Sequence, residues 1–201
     1  MAAPANKNIG DLNGKWVMNK SQSSNIEPGL ALQGIGWVTR KAVSMATLTL
    51  EIKQFVAPPS PPADPANPPA THIEIEQTGT GGIKGSTEKR CLDNNFRDHS
   101  DWLFGHVKGQ SRWLTPADIS DPFLNSGWLE GEGEKGGPNG ETHLISHVES
   151  YDNDWTATQI WGFKTVEGVR KYCRNVVIAK GGERVELVLI YDFFRVKWWV
   201  S

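Results

Sequence analysis

An all-β fold, an antiparallel up-and-down β-barrel of about nine to ten strands carrying a short N-terminal helical lid, is what this sequence predicts. Three features lead there. Segment after segment alternates apolar with polar residues, as a sheet with one buried face requires. Gly, Asn and Asp turns such as "NDW", "VEG" and "KGG" join those segments without intervening helices, which favours a meander over a parallel sheet. A sustained helical spacing of apolar residues occurs near the N-terminus, where it would cap a barrel mouth.

Taken in order, "GKWVMNK" (Gly14 to Lys20) sets Trp16 and Met18 on one face of a first strand. "SQSSN" supplies turn and cap residues, and Pro28 suits a first helical turn. Leu30, Ala31, Gly34, Ile35, Val38, Ala42 and Val43 then recur at helical spacing, and Gly34 with Gly36 notches the run into two short helices. Leu48, Leu50 and Ile52 alternate with Thr47, Thr49, Glu51 and Lys53, giving a strand with one apolar face. Residues 57–70 hold most of the chain's 12 prolines. Proline cannot donate to a ladder, so this stretch is an extended loop. Beyond it, "THIEIEQTGT", "STEKRCLDNNF", "DWLFGHVKGQSRWL", "ETHLISHVES", "WTATQIWGFK", "VRKYCRNVVIA" and "RVELVLIYDFFRVKWWV" each carry a strand pattern, while "DHSD" (Asp98 to Asp101) reads as a solvated turn. Residues 115–140 have a short helical start and then a glycine-rich coil, the pattern of an inserted flap. The 201 residues are expected to form a single domain, 1–201.

Composition narrows the function classes. With 21 Lys+Arg against 23 Asp+Glu and no basic run, a phosphate-rich partner finds little to hold, so nucleic acid is not expected. The N-terminus lacks an apolar signal core, and apolar runs such as "VELVLIYDFF" are half the length that spans a bilayer. A cytoplasmic protein without membrane insertion is the expectation. Cys91 and Cys173 are too few for a disulfide framework and are expected to be free. Nine Trp imply extensive apolar surface, in a core or an aromatic binding wall.

The motifs that usually carry chemistry are incomplete. His143 and His147 share a face, but HExxH and a third ligand are absent, so no metal is expected. "STEK" (Ser86 to Lys89) matches S-x-x-K without its helical context or partner motifs. "GTGGIKG" has Lys84 where a dinucleotide fingerprint needs its third glycine, and no helix follows. No cofactor is expected.

"GKW" on the first strand, followed by "GIGWVTRKAVSMATLTLEI", resembles the fatty-acid-binding-protein branch of the calycins, whose second lid helix carries a similar glycine and Thr-Arg-Lys pattern. The likeness continues in "IEIEQTGTGGIKGSTEKRCLDNNF" and more loosely in "LVLIYDF", about half of the chain. "WGF" and "GIKGST" are also similar to small fungal lipocalin-like proteins, among them pericyclases that join a tropolone quinone methide to a humulene-type terpene by a hetero-Diels–Alder reaction. The resemblance implies a hydrophobic small-molecule substrate, and either a cofactor-free cyclase or a non-catalytic carrier of a lipid.

It also implies which residues meet that molecule. Ile35, Thr39, Arg40 and Val43 would line the lid's inner face, and Gln77, Gly79 and Gly81 one face of a barrel strand, with Gln77 pointing either inward or outward. Trp161, with Gln159 and Phe163 on its face, is either an aromatic wall or plain core. Arg174 and Tyr172 alternate together and could donate to a substrate carbonyl, or serve as a surface cation and a core ring. Tyr191 takes the family's ligand-facing position. Leu189 stands where the fatty-acid carriers place a carboxylate-clamping Arg, which argues against carboxylate capture, while the proline-rich loop, the 115–140 insertion and the tail "FFRVKWWVS" exceed the family's compact length and imply additions around the mouth. Trp16 would close the barrel floor beside a late Arg, for which Arg195 is available.

Overall fold

In the computed structural model, which describes residues 1–81, 83 and 85–195, strand β1 (Gly14–Met18) leads into helices α1 (Glu27–Leu32) and α2 (Trp37–Met45). The remaining strands are β2 (Leu48–Ala57), β3 (Ala70–Gly79), β4 (Ser86–Cys91), β5 (Arg97–Asp101), β6 (Gly105–Leu114), β7 (His143–Ser150), β8 (Trp155–Val166), β9 (Val169–Lys180) and β10 (Glu183–Phe193). All ten join one antiparallel sheet in the order β4-β3-β2-β1-β10-β9-β8-β7-β6-β5. Pairing of β1 with β10, Trp16 opposite Phe193, brings the first and last of these strands together and curls the sheet into a nearly closed barrel. The edges that remain, β4 and β5, follow one another in sequence yet form no ladder with each other.

The glycine notch divides the lid as its sequence suggests, with Gly34 at φ +83 between the helices. Arg40 fixes the second helix to the first: its Nε donates to Glu27 Oε1 at 3.1 Å and its Nη1 to the Ile35 carbonyl at 2.8 Å. Helix α1 lies against β9 and β10 so closely that a Cβ on Gly29 would stand 2.7 Å from Ile178.

At the far end, Trp16, Phe163, Tyr172 and Phe193 pack as tilted and edge-on rings, and the Trp16 indole donates to the Leu12 carbonyl at 2.8 Å. Ile9 and Leu12, fully buried, complete this floor from the N-terminal segment. The cation beside it is Arg170, 3.9 Å from the Phe163 ring, whereas Arg195 is exposed. The last strand's tail beyond residue 195 and Lys84 lie outside the described residues.

Two expectations from the sequence are corrected here. "DHSD" belongs to β5, paired with β6 from Arg97 opposite Gly109 to Asp101 opposite Gly105. The insertion at 115–140 is not at the mouth; it lies on the barrel's outer wall, where Ile119, Phe123, Leu124 and Trp128 cover Leu114, Ile145, Ile160 and Val177. Asn175 latches it by donating to the carbonyls of Phe123, Leu124 and Ser126. Strands β8 and β9 are therefore buried on both faces, and a run from Lys171 to Ile178 has no exposed side. The proline loop does reach an opening, since its Ser60 carbonyl accepts from Arg97 Nη2 at 2.7 Å. Among the described residues no helix is long and apolar enough to cross a membrane.

Candidate functional site

The barrel is hollow, and its interior has two adjoining chambers. The larger, about 800 Å³, opens through the gap between β4 and β5 and is walled by β6, β7 and β8. The smaller, about 180 Å³, lies under the lid, where Leu30 and Val43 from the helices face Leu48, Leu187 and Leu189. Glu88, Gln159, Ala157, Phe104 and Gln33 border both.

A polar cluster sits at this junction. Arg174 on β9 is 4 % exposed; its Nε donates to the Tyr172 hydroxyl at 2.9 Å and its guanidinium lies 3.7 Å from the Trp161 ring. Its Nη2 is buried and has no hydrogen-bond partner among the described residues. Glu88 on β4 bridges two neighbours, accepting from Gln77 Nε2 and from Arg90 Nη2. Arg90 Nη1 donates in turn to the Ser146 hydroxyl on β7, so this chain of bonds crosses the lumen from β3 to β7. Gln159 accepts from the Trp161 indole at 3.0 Å.

The electrostatics follow from the count of charges. Burial alone would raise the Glu88 carboxyl, but the nearby Arg90 and Arg174 outweigh it and hold the group below its ordinary value. One carboxylate thus faces two guanidinium groups, and it is hydrogen-bonded to only one of them. Burial pushes the hydroxyls of Tyr172 and Tyr191 up, so both stay neutral donors or acceptors. The three-residue cluster of Glu88, Arg90 and Arg174 accordingly carries one excess positive charge, with a spare N–H donor on Arg174. That is a site able to stabilise negative charge on a substrate oxygen.

Of the residues the sequence singled out, Val43, Gln77, Gln159, Leu189, Tyr191 and Arg174 border a chamber. Tyr172 and Trp161 stand one layer behind, fully buried, and orient Arg174. Three lid positions and one turn residue do not reach the lumen. Ile35 packs within the lid against Leu30 and Val43, Arg40 is taken up by its lid bonds, half-buried Thr39 borders neither chamber, and Gly81 is an exposed turn residue at φ +75. The reason is geometric: α2 turns only one narrow stripe inward, and the β3 ladder ends at Gly79. Glu88, Arg90 and Ser146 were not singled out. Glu88 and Arg90 lie on β4, a strand polar on both faces where alternation carries no direction, and Ser146 is a single small polar residue between Leu144 and Val148 on one face of β7.

The register explains Leu189. It pairs directly with Arg174 on the neighbouring strand, so a cation occupies this patch of wall from β9 instead of β10.

No family model matches the chain. It is 31% identical over 196 residues to "Probable pericyclase scpY" of Mollisia scopiformis, covering 96% of this chain and 94% of that protein. It is 28% identical to "Pericyclase pydY" of an Acremonium species, covering 96% and 97%. Among solved structures it resembles the REP1-NXSQ fatty acid transporter, with a TM-score of 0.53 at 18% identity over 93% of this chain and 98% of that one. A fatty-acid-binding protein from Drosophila melanogaster brain gives 0.51 at 18% identity, covering 90% and 98%. At such identity the structural likeness establishes the barrel fold alone.

Proposed function

Because the chain belongs to the pericyclase family of scpY and pydY, we propose that its lumen catalyses a cofactor-free hetero-Diels–Alder cycloaddition, between a polyketide-derived tropolone quinone methide and a humulene-type terpene. The observation that supports this reading is Arg174, a buried cation on the chamber wall with an N–H to spare.

A [4+2] closure needs no nucleophile, redox partner or net proton transfer. The diene's four π electrons and the alkene's two become two new σ bonds and one new π bond. When the diene ends in a carbonyl, that oxygen gains electron density before its new bond to carbon is complete. Arg174 Nη2 would donate to it, while Trp161 and the Tyr172 hydroxyl hold the guanidinium in place. Chamber walls would contribute the rest by holding the reactants near their bonding distance, an effect that reaches roughly 7–11 kcal/mol in well-oriented cases.

Mixing a quinone-methide precursor with humulenol, with and without the protein and after chelation of metals, tests the reading. The expected result is a faster reaction and one dominant stereoisomer when protein is present. Identical rate and product mixture in both arms would remove the cyclase, and tight ligand binding alongside that result would leave a carrier.

A further inference from the structure

A primary amide can present a donor or an acceptor to its surroundings, and one contact decides which of them Gln159 presents. The Trp161 indole N–H can only donate. The Gln159 atom 3.0 Å from it is therefore the carbonyl oxygen Oε1, and the amide's NH2 group is left for other partners. Resting on the reading of this lumen as the substrate site, we propose that Gln159 supplies a second hydrogen-bond donor to the substrate oxygen that Arg174 meets, and that Trp161 positions both donors.

Register brings these groups together. Across the β8–β9 ladder Arg174 lies opposite Trp161 and Gln159 opposite Val176, so Gln159 and Arg174 are diagonal neighbours on one face of the sheet. Side chains so related start roughly 7 Å apart, close enough for two long ones to converge on a single atom. On its other side Gln159 pairs with Ser146, whose hydroxyl already accepts from Arg90. Among the described residues Gln159 Nε2 has no acceptor. Gln159 borders both chambers, and Ala157, on the same face of β8, leaves room beside it for a guest.

Arg174 Nη2 is buried without a partner, so adjacent strands offer two N–H groups to one patch of lumen. A carbonyl oxygen has two lone pairs and can accept from both. Neither donor has to move as that oxygen gains charge, because the indole holds Gln159 by its N–H and Arg174 by its ring face. Gln77 is turned the opposite way. Its Nε2 is spent on the ionised Glu88, so it offers the chamber an acceptor and is no part of this pair.

Tropone, a neutral ring ketone, and cycloheptatriene, the same ring without the oxygen, test the assignment by binding alone. Gln159→Met should weaken tropone by about three- to tenfold, the worth of one neutral hydrogen bond, and leave cycloheptatriene unchanged. In infrared difference spectra the carbonyl stretch of bound tropone should lie lower in the unaltered protein than in Gln159→Met, and adding Arg174→Met should raise it further. Trp161→Phe keeps a ring beneath Arg174 and deletes the N–H, so it should raise the stretch as well. Gln159→Leu replaces Gln159→Met if that variant does not fold. Equal weakening of both probes, a stretch unmoved by the change at Gln159, or failure of tropone to bind would overturn the second donor, and a stretch unmoved by Trp161→Phe would overturn its positioning role. Because no turnover is measured, a protein that holds tropone in this way yet accelerates no cycloaddition would refute the proposed reaction and leave the two-donor site standing.

Discussion

Glu88 is where the lumen's charge balance is most sensitive, because it accepts from Arg90 while lying in the field of Arg174. Glu88→Gln should lower stability by about 2 kcal/mol in chemical denaturation, since a part-buried guanidinium loses its counter-charge. Removing both charges, Glu88→Gln with Arg90→Met, should be less damaging than the single change. A double variant as unstable as the sum of the two singles would show that the pair does not interact. These residues were hard to read from sequence. "STEKRC" is polar at nearly every position, so its periodicity does not say which side chains enter the barrel, whereas Arg174 and Tyr172 stood out beside apolar neighbours. That Arg174 faces Leu189 across a ladder depends on register, which no local pattern encodes.

The outer flap is the element whose sequence signal misled, and it has its own chemistry. Strands β8 and β9 bury both faces, so simple alternation could not announce a second apolar layer outside the barrel. Beneath the flap, His143 lies under Trp128, with ring centroids 5.1 Å apart, and Lys164 packs 4.3 Å from the same indole while donating to Asn175. Burial pulls His143 down to about 4 and Lys164 down to about 8. Between pH 6.5 and 4 the unfolded chain therefore binds a proton at His143 that the folded chain refuses. Stability falls as pH falls through that window, by about 3 kcal/mol at most. His143→Phe should flatten the melting temperature over that range, and an unchanged slope would place the acid sensitivity elsewhere. Lys164 acts at the other end: stability should rise from pH 8 towards 10.5 as the unfolded chain alone holds its proton.

The flap is also tied to the N-terminal segment. A Cβ on Gly10 would stand 2.3 Å from the Gly136 carbonyl, and Arg170 joins Glu134 to the carbonyls of Pro4 and Lys7. Gly10→Ala should therefore cost about 1–3 kcal/mol by forcing two backbones apart. A melting temperature equal to that of the unaltered protein would contradict this contact.

At the scale of the molecule, strand order and lid were legible because period-two alternation, turn residues and a notched helical run agree with one another. Strand β5 was not, because "RDHSD" has no apolar face: it borders the polar cleft at a sheet edge. The same gap that hid this strand makes the barrel an open vessel, while Trp16 and its ring partners seal the other end. A hollow vessel alone accounts for carriage. Catalysis adds a demand that one wall group act on the reacting oxygen, and Arg174 is the group we propose for it. The direct measurement is single-turnover ring closure by the unaltered protein and by Arg174→Met, compared at equal occupancy of the barrel. Loss of the donor should slow closure by about a hundredfold with occupancy held constant; equal rates at equal occupancy would contradict a catalytic role for the buried guanidinium.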